Sequence, residues 1–308
     1  MSTETETKKR KVKLTIPEEE IMSPGHLACQ GCGGALAMRY ALKALGRKTI
    51  MAIPACCWSV IDGPFPYSAA GVPIHHSAFE TAASTASGIT HALPQLGQDD
   101  VTALAWAGDG GTFDIGIQAL SGAAERGDNI IYIVYDNEAY MNTGIQRSSA
   151  TPHGAWTTTT PVKHYKRGPK KNMIEIMVAH RIPYCATANV AYPEDLIRKV
   201  SKAKQIKGTK FLHIYAPCPT GWKHPPNITI KIARLATETN VFPVYEVENG
   251  VYKINKKIKN PKPVSEYLKL QGRFRHLTAE EIEYIQEEVN KNWKRLLKLE
   301  EAFGKPLE

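Results

Sequence analysis

Residues 101–142 read VTALAWAGDGGTFDIGIQALSGAAERGDNIIYIVYDNEAYMN, and this stretch decides the fold. The apolar runs at 101–107 and 130–135 are short and partly β-branched, which predicts two buried strands. The small-residue segment between them, residues 113–126, predicts a helix. Strand, helix and strand in this order form a parallel βαβ unit, and its loops open at the carboxyl ends of the strands.

Two segments with chemical potential follow these strands: residues 108–111 read GDGG, and residues 137–142 read NEAYMN. Glycines let backbone N–H groups approach an anion closely, and a following helix N-terminus adds a positive dipole end. A carboxylate, a side-chain amide and a backbone carbonyl are oxygen ligands that suit Mg²⁺ beside phosphate. Gly-Asp-Gly alone is more often a simple turn, but the two segments together predict a Mg²⁺-diphosphate site.

Gly108-Asp109-Gly110 followed by Asn137 after a βα crossover resembles the thiamine diphosphate (TPP) motif. With Asp114-Ile115-Gly116, Asn142-Thr143-Gly144 and Gln146, the chain is similar to the TPP-binding subunit family of 2-oxoacid:ferredoxin oxidoreductases. The likeness extends from about residue 25 to about residue 223 and continues more weakly to the C-terminus. It implies a mostly parallel, doubly wound α/β sheet of the diphosphate-binding type, with a C-terminal extension.

The resemblance also assigns roles to residues of the two segments. It implies that Asp109, Asn137 and the backbone carbonyl of Ala139 hold Mg²⁺, and that Asn142 is a catalytic residue at the reactive thiazolium end. The cofactor-binding residues that it implies are Gly108, Asp109, Gly110, Gly111, Asn137, Ala139 and Asn142.

Four of the six cysteines form a candidate ligand set. Cys29 and Cys32 form a C-x-x-C in a glycine-rich loop, a pattern that is equally typical of redox, zinc and structural cysteines. Cys57 and Cys218 each follow an apolar strand, beside tryptophan or proline. Four thiolates suit a [4Fe–4S] cluster, although sequence spacing does not establish that they converge.

The family resemblance implies that Cys29, Cys32, Cys57 and Cys218 hold one [4Fe–4S] cluster. Cys56 is then expected to point elsewhere. Cys185 lies within an apolar segment and is interpreted as a core residue, the common environment of a lone buried cysteine.

Composition limits the classes of protein that remain. The chain has 308 residues, 43% hydrophobic and 22% charged, which is enough for one large domain with appendages. No apolar run reaches 18 residues and the N-terminus is polar, so we expect a cytoplasmic protein with no membrane span and no secretory signal.

The net charge of +9 comes partly from basic clusters at residues 8–13, 163–171 and 253–262. We interpret these clusters as solvated surface, because no nucleic-acid-binding module or aromatic interleaving accompanies them. An acidic protein partner such as ferredoxin is the alternative.

The pattern predicts three regions: an N-terminal arm at 1–24, a TPP- and Mg²⁺-diphosphate-binding domain with the four-cysteine site at 25–222, and a C-terminal extension at 223–308. A hairpin at 241–254 and a long helix capped by Thr278 and Glu281 are predicted in the extension. Residues 143–171 are too long for an ordinary connection, which predicts a lid or an interface loop.

The resemblance implies oxidative decarboxylation of a 2-oxoacid, with pyruvate as the expected substrate. Pyruvate and CoA would give acetyl-CoA and CO₂, with electrons passed to ferredoxin, or the reverse synthesis would run. Other 2-oxoacids (2-oxoglutarate, branched-chain, oxalate) are the alternatives within the class. A TPP decarboxylase or transketolase half and a non-catalytic zinc-stabilised Cys₄ scaffold are alternatives outside it.

No motif in the chain identifies the glutamate that activates the aminopyrimidine ring of TPP. The resemblance therefore implies that the chain is inactive alone. It implies a pyrimidine-domain alpha subunit, a small gamma subunit and a two-cluster ferredoxin-like delta subunit as partners.

Overall fold

A computed structural model describes residues 15–306, which are built on one eight-stranded sheet. The strands in chain order are β1 Thr49–Pro54, β2 Ile74–Ser77, β3 Thr102–Gly108, β4 Ile131–Asp136, β5 Tyr184–Asn189, β6 Lys210–Tyr215, β7 Tyr245–Glu248 and β8 Val251–Ile254. Their spatial order is β2-β1-β3-β4-β6-β5-β7-β8. The first six pair in parallel, and β7 and β8 add an antiparallel edge. The mostly parallel α/β prediction is confirmed.

Ten α-helices connect or cover these strands. They are α1 Gly33–Leu45, α2 Trp58–Ile61, α3 Ala82–Gln95, α4 Ile117–Arg126, α5 Met173–Ala179, α6 Pro193–Gln205, α7 Pro219–Trp222, α8 Thr229–Glu238, α9 Val264–Leu268 and α10 Ala279–Phe303. One π-helical turn, Gly110–Asp114, and three 3₁₀ turns, Val162–His164, Pro226–Ile228 and Gly272–Phe274, complete the helical elements of residues 15–306.

Both faces of the sheet are buried. Ile131, Ile133 and Tyr135 of β4 point into a core that includes residues of α1 and α6. Tyr132 and Val134 point the other way, into a core that includes residues of α3, α4 and α5. Because successive side chains alternate between faces, a strand covered on both sides must be apolar throughout. This explains the continuous apolar runs in the sequence.

The predicted helix at 113–126 begins too early. The structure has a π-helical turn at Gly110–Asp114, and α4 begins only at residue 117. Two carbonyls that could accept backbone hydrogen bonds in a regular helix accept from side chains instead. The Thr112 hydroxyl donates to the Gly108 carbonyl at 2.8 Å, and the Lys171 ammonium donates to the Phe113 carbonyl. Sequence periodicity does not report such competition.

Several elements have no counterpart in the sequence prediction: β2, α8 and the short helices α2, α7 and α9. β2 is only four residues long and places His75 and His76 on an exposed edge, so it lacks a clear apolar pattern. α8 includes Thr229 and Thr237, which are weak helix formers, and its buried face is set by tertiary packing.

The described part of the N-terminal arm, residues 15–24, packs on its own chain. Ile21 and Met22 are buried in the core. The Lys43 ammonium donates to the carbonyls of Pro17 at 2.8 Å and Glu19 at 2.9 Å. Residues 1–14, with the basic cluster at 8–13, lie outside the described residues.

The predicted C-terminal hairpin and long helix are both present. The hairpin β7–β8 continues the main sheet, because β7 pairs with β5, and α10 packs on β8. Residues before and after position 222 thus contribute strands to the same sheet. The predicted domain boundaries stay predictions.

None of the helices formed by residues 15–306 is long and apolar enough to cross a lipid bilayer. The cytoplasmic location stays a prediction.

The capping box of α10 gives a first testable prediction. The Thr278 hydroxyl accepts from the Glu281 N–H at 3.3 Å, and the Glu281 carboxylate accepts from the Thr278 N–H at 2.7 Å. Thr278→Ala removes one half of this exchange and should lower the free energy of unfolding by about 1 kcal/mol in urea denaturation. Asn292→Ala, in the middle of the same helix, should cause no loss; equal stability of the two variants would contradict a role for the cap.

Candidate functional site

The sheet register brings the predicted site segments to one edge. Gly108 pairs with Tyr135, and Asp136 pairs with Tyr215. The chain therefore leaves β3, β4 and β6 side by side at their carboxyl ends. In open α/β sheets, ligands bind in the crevice at this edge.

Three oxygens of the predicted Mg²⁺ ligands converge at this edge. Asn137 Oδ1 lies 2.9 Å from Asp109 Oδ1 and 3.1 Å from the Ala139 carbonyl oxygen. Three acceptor oxygens cannot hydrogen-bond to one another. Either a cation lies between them, or the Asn137 amide is rotated so that its nitrogen donates to Asp109 and to the Ala139 carbonyl. Ligands at roughly 2.0–2.1 Å in an octahedral Mg²⁺ shell stand about 2.9 Å apart. The donor set and its spacing fit Mg²⁺.

Asp109 is the charged member of this set and is 1% exposed. Burial raises the pKa of its carboxyl group well above the usual range, and the neighbouring charge of Asp136 adds to the rise. Ser148 donates a hydrogen bond to its Oδ2. None of the ion pairs formed among residues 15–306 includes Asp109. A divalent cation would supply the missing counter-charge.

The glycines of the GDGG loop allow close packing of aromatic rings. A Cβ atom on Gly110 would lie 2.2 Å from the Tyr140 ring. On Gly111 it would lie 3.2 Å from the Phe79 ring. The Tyr140 hydroxyl donates to Asp114 at 2.8 Å, which fixes the ring over the loop. The backbone path of the loop therefore depends on Gly110.

The predicted cysteines and both predicted asparagines line one cavity of about 200 Å³. The cavity is lined by Leu27, Cys29, Cys32, Gly34, Cys57, Val60, Ile61, Tyr135, Asn137, Met141, Asn142, Ile145, Ala216, Pro217, Cys218, Pro219, Thr220 and Gly221. Asn142, the predicted catalytic residue, is exposed there. Its role stays a prediction.

Burial changes the acidity of these thiols. It raises the pKa values of Cys32 and Cys57 and raises that of Cys218 to about 11, and neighbouring cysteines add to all three shifts. Such thiols remain protonated unless a metal takes up the thiolate charge. The described residues contain no group of three or more His, Cys, Asp or Glu arranged for a metal ion. The four-cysteine cluster site therefore stays a prediction.

The remaining cysteines lie elsewhere. Cys56 is absent from the cavity lining and lies beside the Tyr135 hydroxyl. Cys185 is 1% exposed and belongs to the core beneath α5, as the sequence predicts.

Asn137 connects the cation corner to the cysteines. One end of its amide lies 2.9 Å from Asp109 Oδ1 and 3.1 Å from the Ala139 carbonyl oxygen, and the other end lies 3.9 Å from Cys57 Sγ. One amide therefore contacts the candidate ligands of both inorganic centres.

The structure also reveals a buried ionic network that sequence reasoning missed. Its members are Asp136, Glu138, Lys170, His213 and Arg273. Two signals could have pointed to it: acidic residues directly after an apolar strand, and a histidine within the apolar run of β6. The partners are far apart in sequence and could not be paired from it.

The network corrects one sequence interpretation. The basic cluster at 163–171 was expected to be solvated, but Lys166 is 7% exposed and the Lys170 side chain is 23% exposed. Lys166 donates to backbone carbonyls of the loop, and Lys170 pairs with Asp136 and Glu138. Lys166 therefore satisfies backbone carbonyls, and Lys170 balances buried carboxylates.

The parallel sheet and the glycine loop define a diphosphate-binding enzyme domain. Residues 64–214 match the family model described as the C-terminal TPP-binding domain of thiamine pyrophosphate enzymes. The fold is also similar to a solved 2-oxoglutarate:ferredoxin oxidoreductase from Magnetococcus marinus, with a TM-score of 0.57 at 21% identity over 73% of this chain and 82% of that one.

Two groups of relatives extend over nearly the whole chain. The chain is 57% identical to the ketoisovalerate oxidoreductase subunit VorB of Pyrococcus abyssi, covering 96% of this chain and 98% of the relative. It is 52% identical to the pyruvate synthase subunit PorB of Methanothermobacter thermautotrophicus, covering 90% and 97%. The chain belongs to the TPP-binding subunit family of 2-oxoacid:ferredoxin oxidoreductases, as the sequence predicts.

The close approach of Tyr140 to the glycine loop gives a second prediction. Gly110→Ala places a methyl group 2.2 Å from the Tyr140 ring, so the ring or the loop must move. We expect TPP affinity to fall at least tenfold in equilibrium dialysis against the cofactor with Mg²⁺. Gly88→Ala is the matched control and should bind normally, because no described atom outside its own stretch of helix lies within 4 Å of the new Cβ.

Proposed function

We propose that this chain carries TPP, Mg²⁺ and one [4Fe–4S] cluster in a 2-oxoacid:ferredoxin oxidoreductase. The reaction is oxidative decarboxylation of a 2-oxoacid with CoA to an acyl-CoA and CO₂, or the reverse synthesis. When bound, TPP would supply an electron sink for carbon–carbon cleavage, and a cluster held by the four cysteines would supply an acceptor for the electrons released.

The observation that carries this proposal is the shared position of Asn137. One end of its amide lies against Asp109 and Ala139, and the other end lies against the sulfur of Cys57 in the cavity that Cys29, Cys32 and Cys218 also line. An enzyme that passes electrons from TPP to an iron–sulfur cluster needs the two sites close together. A TPP enzyme without redox chemistry has no need for four thiols beside its cofactor.

Each group of residues has a separate task in this proposal. Asp109, Asn137 and the Ala139 carbonyl hold Mg²⁺ against the diphosphate, and the glycine loop lets backbone N–H groups approach it. Cys29, Cys32, Cys57 and Cys218 hold the cluster as thiolates. Asn142 lies at the mouth of the cavity, where it can contact the reacting end of the cofactor.

Partner chains complete the enzyme in this proposal. The relatives are named as subunits, which supports an assembly of several chains. We propose a pyrimidine-domain alpha subunit that supplies the TPP-activating glutamate, a small gamma subunit, a two-cluster ferredoxin-like delta subunit, and ferredoxin as the electron acceptor.

Pyruvate is the substrate that the sequence alone predicts, and the 52% identity to a pyruvate synthase subunit supports it. A branched-chain 2-oxoacid is the second candidate, because the ketoisovalerate oxidoreductase subunit is 57% identical. Additional methylene groups in an apolar pocket change transition-state binding by about 1–3 kcal/mol.

The substrate assignment is tested with the complex purified from its source. We measure kcat/KM for pyruvate and for ketoisovalerate with CoA and ferredoxin. The pyruvate assignment predicts a ratio of at least ten in favour of pyruvate. A ratio of similar size in the opposite direction would establish the branched-chain alternative.

The cluster assignment is tested by paired cysteine substitutions in the purified complex. Cys57→Ser should remove about four irons and one reduced-cluster EPR signal under dithionite, because one cluster ligand is lost. Cys56→Ser, its neighbour outside the cavity, is the control and should retain both. The reverse order would show that Cys56 is the ligand, and stoichiometric zinc without iron would support the scaffold alternative.

A further inference from the structure

Glu138 lies between two of the proposed Mg²⁺ ligands in an unusual backbone conformation. Its φ angle is +67°, a left-handed value that non-glycine residues rarely adopt. It is 3% exposed and separates Asn137 from Ala139. The left-handed turn brings the side chain of Asn137 and the carbonyl of Ala139 onto the same side of the chain, facing Asp109. Such strain persists only where surrounding contacts over-determine it.

We propose that Glu138, Lys170 and Arg273 form a charge clamp that positions the Mg²⁺ ligands; the inference rests on the proposed Mg²⁺-diphosphate site. Lys170 and Arg273 are positioning residues, since they act through Glu138 and not on the cofactor. Arg273 belongs to the C-terminal extension, so the extension forms part of the cofactor site.

Two cations hold the Glu138 carboxylate from different elements. Arg273 Nη2 lies 2.6 Å from Oε2, with side-chain exposures of only 2% and 3%. Lys170 Nζ lies 2.8 Å from Oε1. Arg273 is itself fixed, because its Nε donates to Gln271 at 3.0 Å and its guanidinium lies 3.9 Å from the centre of the Trp222 ring.

The backbone of the turn is held by side chains from several elements. The Trp222 indole donates to the Asn137 carbonyl at 2.7 Å. The Thr151 hydroxyl donates to the Glu138 carbonyl at 2.7 Å, and the Glu138 N–H donates to Asp136 at 2.9 Å. These contacts fix the turn before any cofactor arrives, which is the preorganisation that a metal site requires.

The distribution of charge supports the same role. Lys170 also pairs with Asp136, and His213 lies 2.6 Å from that carboxylate. Lys170 and Arg273 thus balance the two carboxylates of Asp136 and Glu138, and neither cation forms an ion pair with Asp109.

A stabilising role alone does not explain the clamp. Buried ion pairs often contribute little to stability, because desolvation of both charges offsets their attraction. A paired glutamate at a left-handed position between two ligands instead orients those ligands.

The test uses the complex purified with its partners and measures the Mg²⁺ concentration that half-saturates TPP retention. Bound TPP is measured as thiochrome fluorescence after rapid desalting. Glu138→Gln and Arg273→Gln should each raise this concentration at least tenfold, and Arg273→Lys should recover part of the loss. The melting temperature of the cofactor-free complex is measured in parallel.

The two substitutions separate positioning from simple electrostatics. Removing Glu138 makes the site less negative, whereas removing Arg273 makes it more negative. A field effect would therefore weaken Mg²⁺ binding in the first variant and strengthen it in the second. The clamp predicts weaker binding in both. Opposite changes, or unchanged Mg²⁺ dependence with lower melting temperatures, would overturn the proposal.

A matched control exists on the same extension. Arg295 and Glu175 form an ion pair at 2.6 Å between α10 and α5, with side chains 63% and 31% exposed and no contact with the site. Arg295→Gln should leave the Mg²⁺ dependence unchanged, and an equal shift there would contradict the clamp.

Asp109→Ala should abolish TPP retention while iron remains; retention at the normal Mg²⁺ concentration would instead refute the Mg²⁺ site itself.

Discussion

Parallel pairing of β1, β3, β4 and β6 is the constraint on which the rest of the structure depends. Parallel strands all end at the same edge, so the segments that follow β3 and β4 must emerge as neighbours. The cysteines after β1 and β6 emerge at the same edge. Without this register, Asp109, Asn137 and Cys57 would be unrelated residues in three separate loops.

The strand ends also concentrate negative charge in the interior. Basic residues that are distant in sequence balance this charge by direct contact. Asp109, Asp136 and Glu138 lie within one buried region, where unpaired carboxylates are costly. Lys170 comes from the long loop after β4 and Arg273 from the C-terminal extension. The loop and the extension are therefore structural components of the site, as well as coverings of the sheet.

Some features were predictable because they depend on neighbouring residues. Apolar runs predicted β3 and β4, and Thr278 with Glu281 predicted the start of α10. Other features escaped because their causes are distant. A hydrogen bond from Thr112 and one from Lys171 accompany the π-helical turn that stands where the sequence predicts a regular helix. The solvated interpretation of Lys166 and Lys170 failed because a lysine's acceptors can lie far along the chain.

The sequence by itself determined the class of fold and predicted the types of ligand, since hydrophobic periodicity and motif chemistry are local properties. It placed oxygen ligands after two strands and identified four cysteines as a candidate set. Only the tertiary structure decided which atoms meet: Asn137 against both Asp109 and Cys57, and Arg273 against Glu138 across 135 residues. Contacts between residues so far apart depend on sheet register and on the burial of charge, which no local pattern encodes.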